Sequence, residues 1–343
     1  MASDASTAAI VRDGNWLPHR FDPEGDTFHF VHALREIHRS VTFITDEHLP
    51  ADLDKVVLRR SDALAQAPAP EPVHFIFHSA FCCSTLLARA FDIDGKAMGL
   101  KEPVVLNDIV GWRLRGADPR RVGEALDHAL TLLAQPFAPG ETCIIKPSNL
   151  LNGLAPGIMT LRPQANALLL HAPLDIFLKS VAKKGMWGRL WVRDLMVKQL
   201  KENLIHLGLD HEQLMGATDL QAAAVGWLAQ HALFAKMAAT LGPKRVRTLD
   251  SETLLARPHD TMVELANLFQ VPLDAGEIDA IASGPAFTEH SKTGGQFGSA
   301  ARLDEYAEAF ALHGEEIEKV GHWAAVIAEN IGIPMTLPAP LLS

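Results

Sequence analysis

The sequence predicts an α/β fold: a central parallel sheet of about five strands flanked by helices. Three observations predict it. Short apolar runs of strand length recur at Val73–Phe77 (VHFIF), Ala97–Leu100, Thr142–Lys146 (TCIIK), Ala167–His171 (ALLLH) and Arg245–Leu249 (RVRTL). Several are continuously apolar, as strands are when helices cover both faces of their sheet. Longer stretches of helical periodicity follow most of them, and strand–helix alternation is the pattern of a doubly wound sheet.

The elements follow in order. Residues 1–20 read as an arm. Across 27–40 the apolar residues Phe28, Val31, Leu34 and Ile37 fall three apart, with Val41 four further on, which predicts a short helix. Ala65–Pro72 (AQAPAPEP) reads as a Pro/Ala linker. A boundary is therefore expected at 70, with an N-terminal arm and short helical region over 1–70 and an α/β domain over 71–335. Helices are expected over 84–92, 121–135, 174–184, 190–207, 219–241, 252–269 and 303–330. Residues 185–241 are almost wholly helical and are expected to form a substrate-covering insertion.

Composition narrows the function. The chain has 343 residues, 48% hydrophobic and 21% charged, with a net charge of −10. That balance excludes disorder as the main state. An acidic total argues against a nucleic-acid partner, which needs a basic footprint. Three cysteines suit a reducing compartment rather than a disulfide scaffold, so a cytoplasmic protein is expected. The start MASDASTAAIVRDG lacks the features of a signal peptide. No stretch approaches the roughly 20 apolar residues of a membrane span. Nothing in the sequence reads out the oligomeric state.

In a parallel sheet the ligand crevice lies beyond the carboxyl ends of the strands. Five segments there carry chemistry: 78–85, 101–108, 146–149, 171–180 and 288–298. In the first, His78-Ser79-Ala80-Phe81-Cys82-Cys83-Ser84-Thr85 leads from a strand into a helix that Ser84 or Thr85 can cap. Backbone N–H groups and the helix dipole favour an anion there. The glycines and lysine of GxxxxGK[ST] are missing, which argues against magnesium-nucleotide binding. On the residues alone four of these segments also have a plainer reading: an ordinary cap at Ser84, a solvated pair at Lys101–Glu102, a surface lysine at Lys146, a surface loop at 288–298.

Taken together and in this order, the segments resemble the motifs of the sulfotransferase superfamily in its bacterial form. Ser84-Thr85-Leu86-Leu87 resembles the second half of the loop that binds the 5′-phosphosulfate, with Phe81 in place of a cation and Cys83 in place of a glycine. Leu100-Lys101-Glu102-Pro103 resembles the turn carrying a catalytic glutamate. Ile145-Lys146-Pro147-Ser148 resembles the Lys-[Thr/Ser]-Pro segment. His171-Ala172-Pro173-Leu174-Asp175, with Ser180, resembles the 3′-phosphate motif, with His171 in place of its arginine. Leu249-Asp250 through Pro258 resembles a structural landmark of the family, and Lys292-Thr293-Gly294-Gly295 the late loop that closes over the nucleotide.

The resemblance implies a three-layer, P-loop NTPase-like fold, the donor 3′-phosphoadenylyl sulfate (PAPS), no metal, and a small-molecule or glycan acceptor. It implies Glu102 as general base with His78 or His171 as substitute, and Lys146 and Lys101 as cations on the transferring group. It assigns residues 81–85, His171, Ser180, Lys292, Gly294 and Gly295 to the donor. Lys179, Lys183 or Lys184 are expected to compensate for the missing arginine.

Two rival readings stand beside it. The three altered motif positions suit a family member that binds a nucleotide without catalysis. Cys83 and Arg89 satisfy C-x5-R, the pattern of a cysteine phosphatase, although the intervening Ser-Thr-Leu-Leu-Ala has no glycine. The paired cysteines otherwise read as small buried hydrophobes. His29, His32 and His38 read as helix and surface residues rather than metal ligands. Trp187, Trp191 and Trp227 read as core, or as the lining of an aromatic acceptor pocket.

Overall fold

The computed structural model describes residues 4–69, 71–288 and 299–342. The N-terminal elements are α1 (Asp4–Val11), β1 (Trp16–Asp22), β2 (Thr27–His32), α2 (Arg35–Ser40), β3 (Lys55–Arg59) and α3 (Arg60–Gln66). The central ones are β4 (Val73–His78), α4 (Ser84–Ala90), β5 (Ala97–Lys101), α5 (Val104–Leu114), α6 (Pro119–Leu133), β6 (Thr142–Lys146), a 3-10 turn (Asn149–Leu154) and α7 (Ala155–Leu161). Then come β7 (Ala167–His171), α8 (Leu174–Lys183), α9 (Gly185–Lys201), α10 (His211–Gly216), α11 (Asp219–Leu241) and β8 (Val246–Asp250). The last are α12 (Ser251–Ala256), α13 (Pro258–Leu268), α14 (Ala275–Ala282), α15 (Pro285–Thr288) and α16 (Ser299–Ile331).

The central sheet has five parallel strands in the order β5-β6-β4-β7-β8, flanked by helices. All five predicted strands are present to within a residue. Every residue of β4, β5, β6 and β7 is buried, which is why these runs are largely apolar.

The chain divides into two compact units. The first holds the described residues up to Phe77, with Thr85–Ala167 and Leu265–Glu277. The second holds His78–Ser84, Leu168–Glu264 and the described residues from Ile278 onward.

In the first unit, Lys101 and Lys146 are register partners at the carboxyl ends of β5 and β6. Helix α6 starts on Asp118, whose carboxylate accepts from the N–H groups of Arg120 (3.0 Å) and Arg121 (3.1 Å), with Pro119 at the first helical position. Its buried Val122, Leu126, Ala129 and Leu133 recur three or four apart. Gly99 lets α4 lie close against β5: a Cβ there would stand 2.0 Å from the Ala88 carbonyl oxygen.

The second unit is organised by α11. Thr218 and Gln221 form a reciprocal capping box, and Gly242 ends the helix at φ +75°. Most of α11 is buried, including Trp227 and Phe234, so it is a core helix of this unit.

The N-terminal expectations are corrected. Residues 16–20, read as part of an arm, belong to β1, and β1, β2 and β3 form an antiparallel sheet in which Phe28 lies opposite Phe21 and Leu58. The helix expected over 27–40 is strand β2 followed by the short α2. Phe28 and Phe30 are both fully buried, an alternation of period two that the spacing of Phe28 and Val31 conceals. His29 and His32 consequently lie on a strand, and His38 is buried rather than on the surface. The helix expected over 252–269 breaks at Arg257, because the residue before Pro258 is pushed out of helical geometry.

Replacing Gly99 by alanine should destabilise the fold by about 2–3 kcal/mol, since the added methyl meets backbone rather than a movable side chain. Urea unfolding of the variant should show a lower midpoint at unchanged slope.

Candidate active site

Sequence reasoning selected Lys101, Glu102 and Lys146, and all three lie at the carboxyl edge of β5 and β6. Their fates differ. Lys101 is buried, and its Nζ donates to the carbonyls of His38 (2.5 Å) and Val41 (2.6 Å) at the end of α2. Burial, with Arg89 nearby, lowers its pKa to about 7. An ammonium so enclosed serves as a helix C-cap. The expectation that Lys101 meets the transferring group does not fit this placement.

Glu102 sits at φ +54° directly after β5, and its N–H donates to the Lys146 carbonyl (2.7 Å). That turn swings its carboxylate onto the Lys146 ammonium, with which it forms an ion pair. Lys146 is 1% exposed, and an ammonium so buried is costly without a counter-charge. The Phe43 ring lies 4.9 Å from Lys146 Nζ on the same ammonium.

In the second unit, the chain leaving β4 turns sharply. Ala80, Phe81 and Cys83 adopt φ of +74°, +52° and +63°. Such left-handed positions cost side-chain-bearing residues about 1 kcal/mol each and persist only when surroundings enforce them. The enforcing bonds are visible. Ser79 N–H donates to Leu170 O (3.0 Å), the Ser79 hydroxyl accepts from Ala172 N–H (3.2 Å), and His78 Nδ1 accepts from Ala80 N–H (3.1 Å). Cys82 is buried with its Sγ against Leu170 O (3.6 Å), so it is a packing residue. Ser84 and Thr85, both buried, begin α4. Left-handed residues next to right-handed ones are one way in which backbone builds an anion-binding concavity. Cys83 thus holds the conformation a glycine takes more easily.

Phe81, at the position where a cation was expected, packs against Phe177 (5.6 Å) and edge-on to Trp191 (5.2 Å). The Lys184 ammonium lies 5.8 Å from the Phe81 ring and 5.2 Å from that of Trp187. A cation is therefore present at this aromatic cluster, supplied from the end of α8. Trp227 is core, donating through Nε1 to Ala172 O (2.9 Å), whereas Trp187 is 59% exposed.

His171 is buried, and burial lowers its pKa to about 4, so it is neutral at pH 7. Its ring packs edge-on to that of His231 (5.1 Å), whose pKa burial lowers to about 3. His231 stacks on Trp227 at 4.0 Å. His171 therefore brings no positive charge to replace arginine. Ser180 shares a hydrogen bond with the Tyr306 hydroxyl (3.1 Å) and donates to Ile176 O (2.8 Å). Lys292, Gly294 and Gly295 lie outside the described residues.

The residues between Cys83 and Arg89 are the helix α4 rather than a loop. Arg89 lies in the last turn of that helix. Among the described residues no group of three or more His, Cys, Asp or Glu is placed to hold a metal ion. Among them also, no helix is long and apolar enough to cross a membrane.

No family model matches the chain, and no curated protein does. Solved structures that match the chain include sulfotransferase STF9 from Mycobacterium avium, at 14% identity and TM-score 0.44, over 91% of this chain and 92% of that one. A sulfotransferase domain from the curacin biosynthetic pathway matches at 14% identity and TM-score 0.42, over 78% of this chain and 99% of that one. A sulfotransferase domain from the Synechococcus PCC 7002 olefin synthase matches at 14% and 0.37, over 65% and 82%.

The two histidines make stability pH-dependent. Their folded pKa values lie below 6.5, so the unfolded chain takes up protons first, and stability falls as pH drops from 6.5 toward 4. His231→Phe, which keeps the stack on Trp227, should reduce that loss by roughly 1–3 kcal/mol, read from urea midpoints at pH 7 and pH 4.5.

Proposed function

We propose that the protein is a sulfotransferase, moving a sulfuryl group from PAPS to a hydroxyl or amine on a small-molecule or glycan acceptor. The Lys146–Glu102 pair carries this reading. Two motifs 44 residues apart, each selected for a different task, put an ammonium and a carboxylate in contact at the ends of adjacent parallel strands.

In this reading the donor supplies the sulfuryl group and a good leaving phosphate. The loop at 80–83 and the hydroxyls of Ser84 and Thr85 suit the phosphosulfate end. The opposite end of the donor is less well provided for, since His171 is neutral and Ser180 is shared with Tyr306. Lys292, Gly294 and Gly295 would complete that end.

Glu102 takes the proton from the acceptor as the new sulfur–oxygen (or sulfur–nitrogen) bond forms and the bond to the leaving phosphate breaks. Protonation of Glu102 releases its hold on Lys146, whose ammonium then balances charge on the departing oxygens. Proton removal and charge stabilisation are thereby coupled through one ion pair. Most of the remaining task is positioning, as in phosphoryl transfer. His78 serves to shape the loop through its bond from Ala80 N–H. The helical 185–241 region is assigned the acceptor side. The free cysteines Cys82, Cys83 and Cys143 suit the cytoplasm.

A second reading, nucleotide binding without catalysis, is favoured by Phe81 at the cation position and by neutral His171. Calorimetric titration with 3′-phosphoadenosine 5′-phosphate and a transfer assay separate the two. Binding should be measurable, and Ser84→Ala with Thr85→Ala should weaken it about ten-fold. Glu102→Gln should keep that binding and lose transfer by about 10²–10³-fold. Binding without transfer in the unaltered protein supports the second reading, and absence of binding overturns both.

A further inference from the structure

The segment after α2 is strapped to the ends of β5 and β6. Lys101 Nζ donates to His38 O (2.5 Å), Val41 O (2.6 Å) and, more distantly, Arg39 O (3.4 Å). Ile44 N–H donates to Lys101 O (2.7 Å), and Val104 N–H donates to Ile44 O (3.1 Å). Asp46 receives His19 Nε2 (2.6 Å) and the Arg20 guanidinium from β1. Phe43 stands between these ties. Its ring lies 4.9 Å from Lys146 Nζ and edge-on to His48 at 5.3 Å.

A lysine ammonium is a strongly hydrated point charge on a flexible stem. Packing alone orients it poorly. A carboxylate on one side and an aromatic face on another restrict it, and the aromatic attraction grows as water is removed. The strap brings that aromatic face from a segment distant in sequence. It uses one buried lysine, Lys101, to hold another, Lys146.

We propose that Phe43 and Lys101 are positioning residues for Lys146: the strap over 38–46 sets the Phe43 ring on the ammonium and keeps it dry and directed at Glu102. The consequence for rate rests on the sulfotransferase reading, whereas the placement does not.

The test is acetylation by an N-hydroxysuccinimide ester at fixed pH, read at Lys146 by mass spectrometry, with kcat and KM from the transfer assay. Phe43→Ala should raise the labelling rate of Lys146 about ten-fold. Exposed Lys319, at 75% accessibility, should be unaffected. Phe43→Tyr should restore slow labelling. Lys101→Met should act like Phe43→Ala. If that variant does not fold, the Phe43 pair decides alone. In transfer, Phe43→Ala should lower kcat about ten-fold with donor KM unchanged. Unchanged labelling in Phe43→Ala overturns the proposal, as does faster labelling with unchanged kcat. If the unaltered protein shows no transfer, the sulfotransferase reading fails, and labelling still decides the placement.

Discussion

A lysine ammonium that is almost wholly removed from water sets the terms for the carboxyl edge of this sheet. Burying such a charge is costly unless a counter-charge and further polar or aromatic partners surround it. Lys146 has both. Glu102 supplies the counter-charge, and reaching it requires a left-handed turn immediately after β5. Phe43 supplies the aromatic face, and holding it requires the strap tied by Lys101 and Ile44. Even the accessory antiparallel sheet contributes, since β1 carries the His19 and Arg20 that grip Asp46. Features that look unrelated along the chain serve one buried cation.

How much of the fold was legible in the sequence follows from where each signal lies. Strands β4, β6 and β7 were readable because burial on both faces leaves a local trace, an unbroken apolar run. Strand β2 was not. Its TFHFVH places apolar groups at spacings of two and three at once, and only pairing with β1 and β3 selects the strand. The break at Arg257 was available from Pro258 but was outweighed by the apolar periodicity on either side. Helix α11 was read correctly at both ends, where a capping box and a glycine mark them.

The site divides in the same way. Glu102 and Lys146 could be selected because a post-strand position is a local property. The role of Lys101 could not, because its carbonyl partners come from a segment some sixty residues earlier. Phe43 left no signal at all, being one aromatic residue in a stretch to which neither an element nor a motif was assigned. His171 ends strand β7 where the apolar run was read to end, but its neutrality is a tertiary property, set by burial beside His231 and Trp227. The missing loop cation has a counterpart in Lys184, whose relation to Phe81 depends on how α8 and α9 pack.

The loop between β4 and α4 carries side chains at each of its left-handed positions. A glycine loop in the same shape would sample many others when empty. Ala80, Phe81 and Cys83 sample fewer, and Phe81 is further restrained by two aromatic neighbours. The ordering cost is met during folding and does not recur when a ligand arrives. Such a loop is held near one shape and has little capacity to remodel itself.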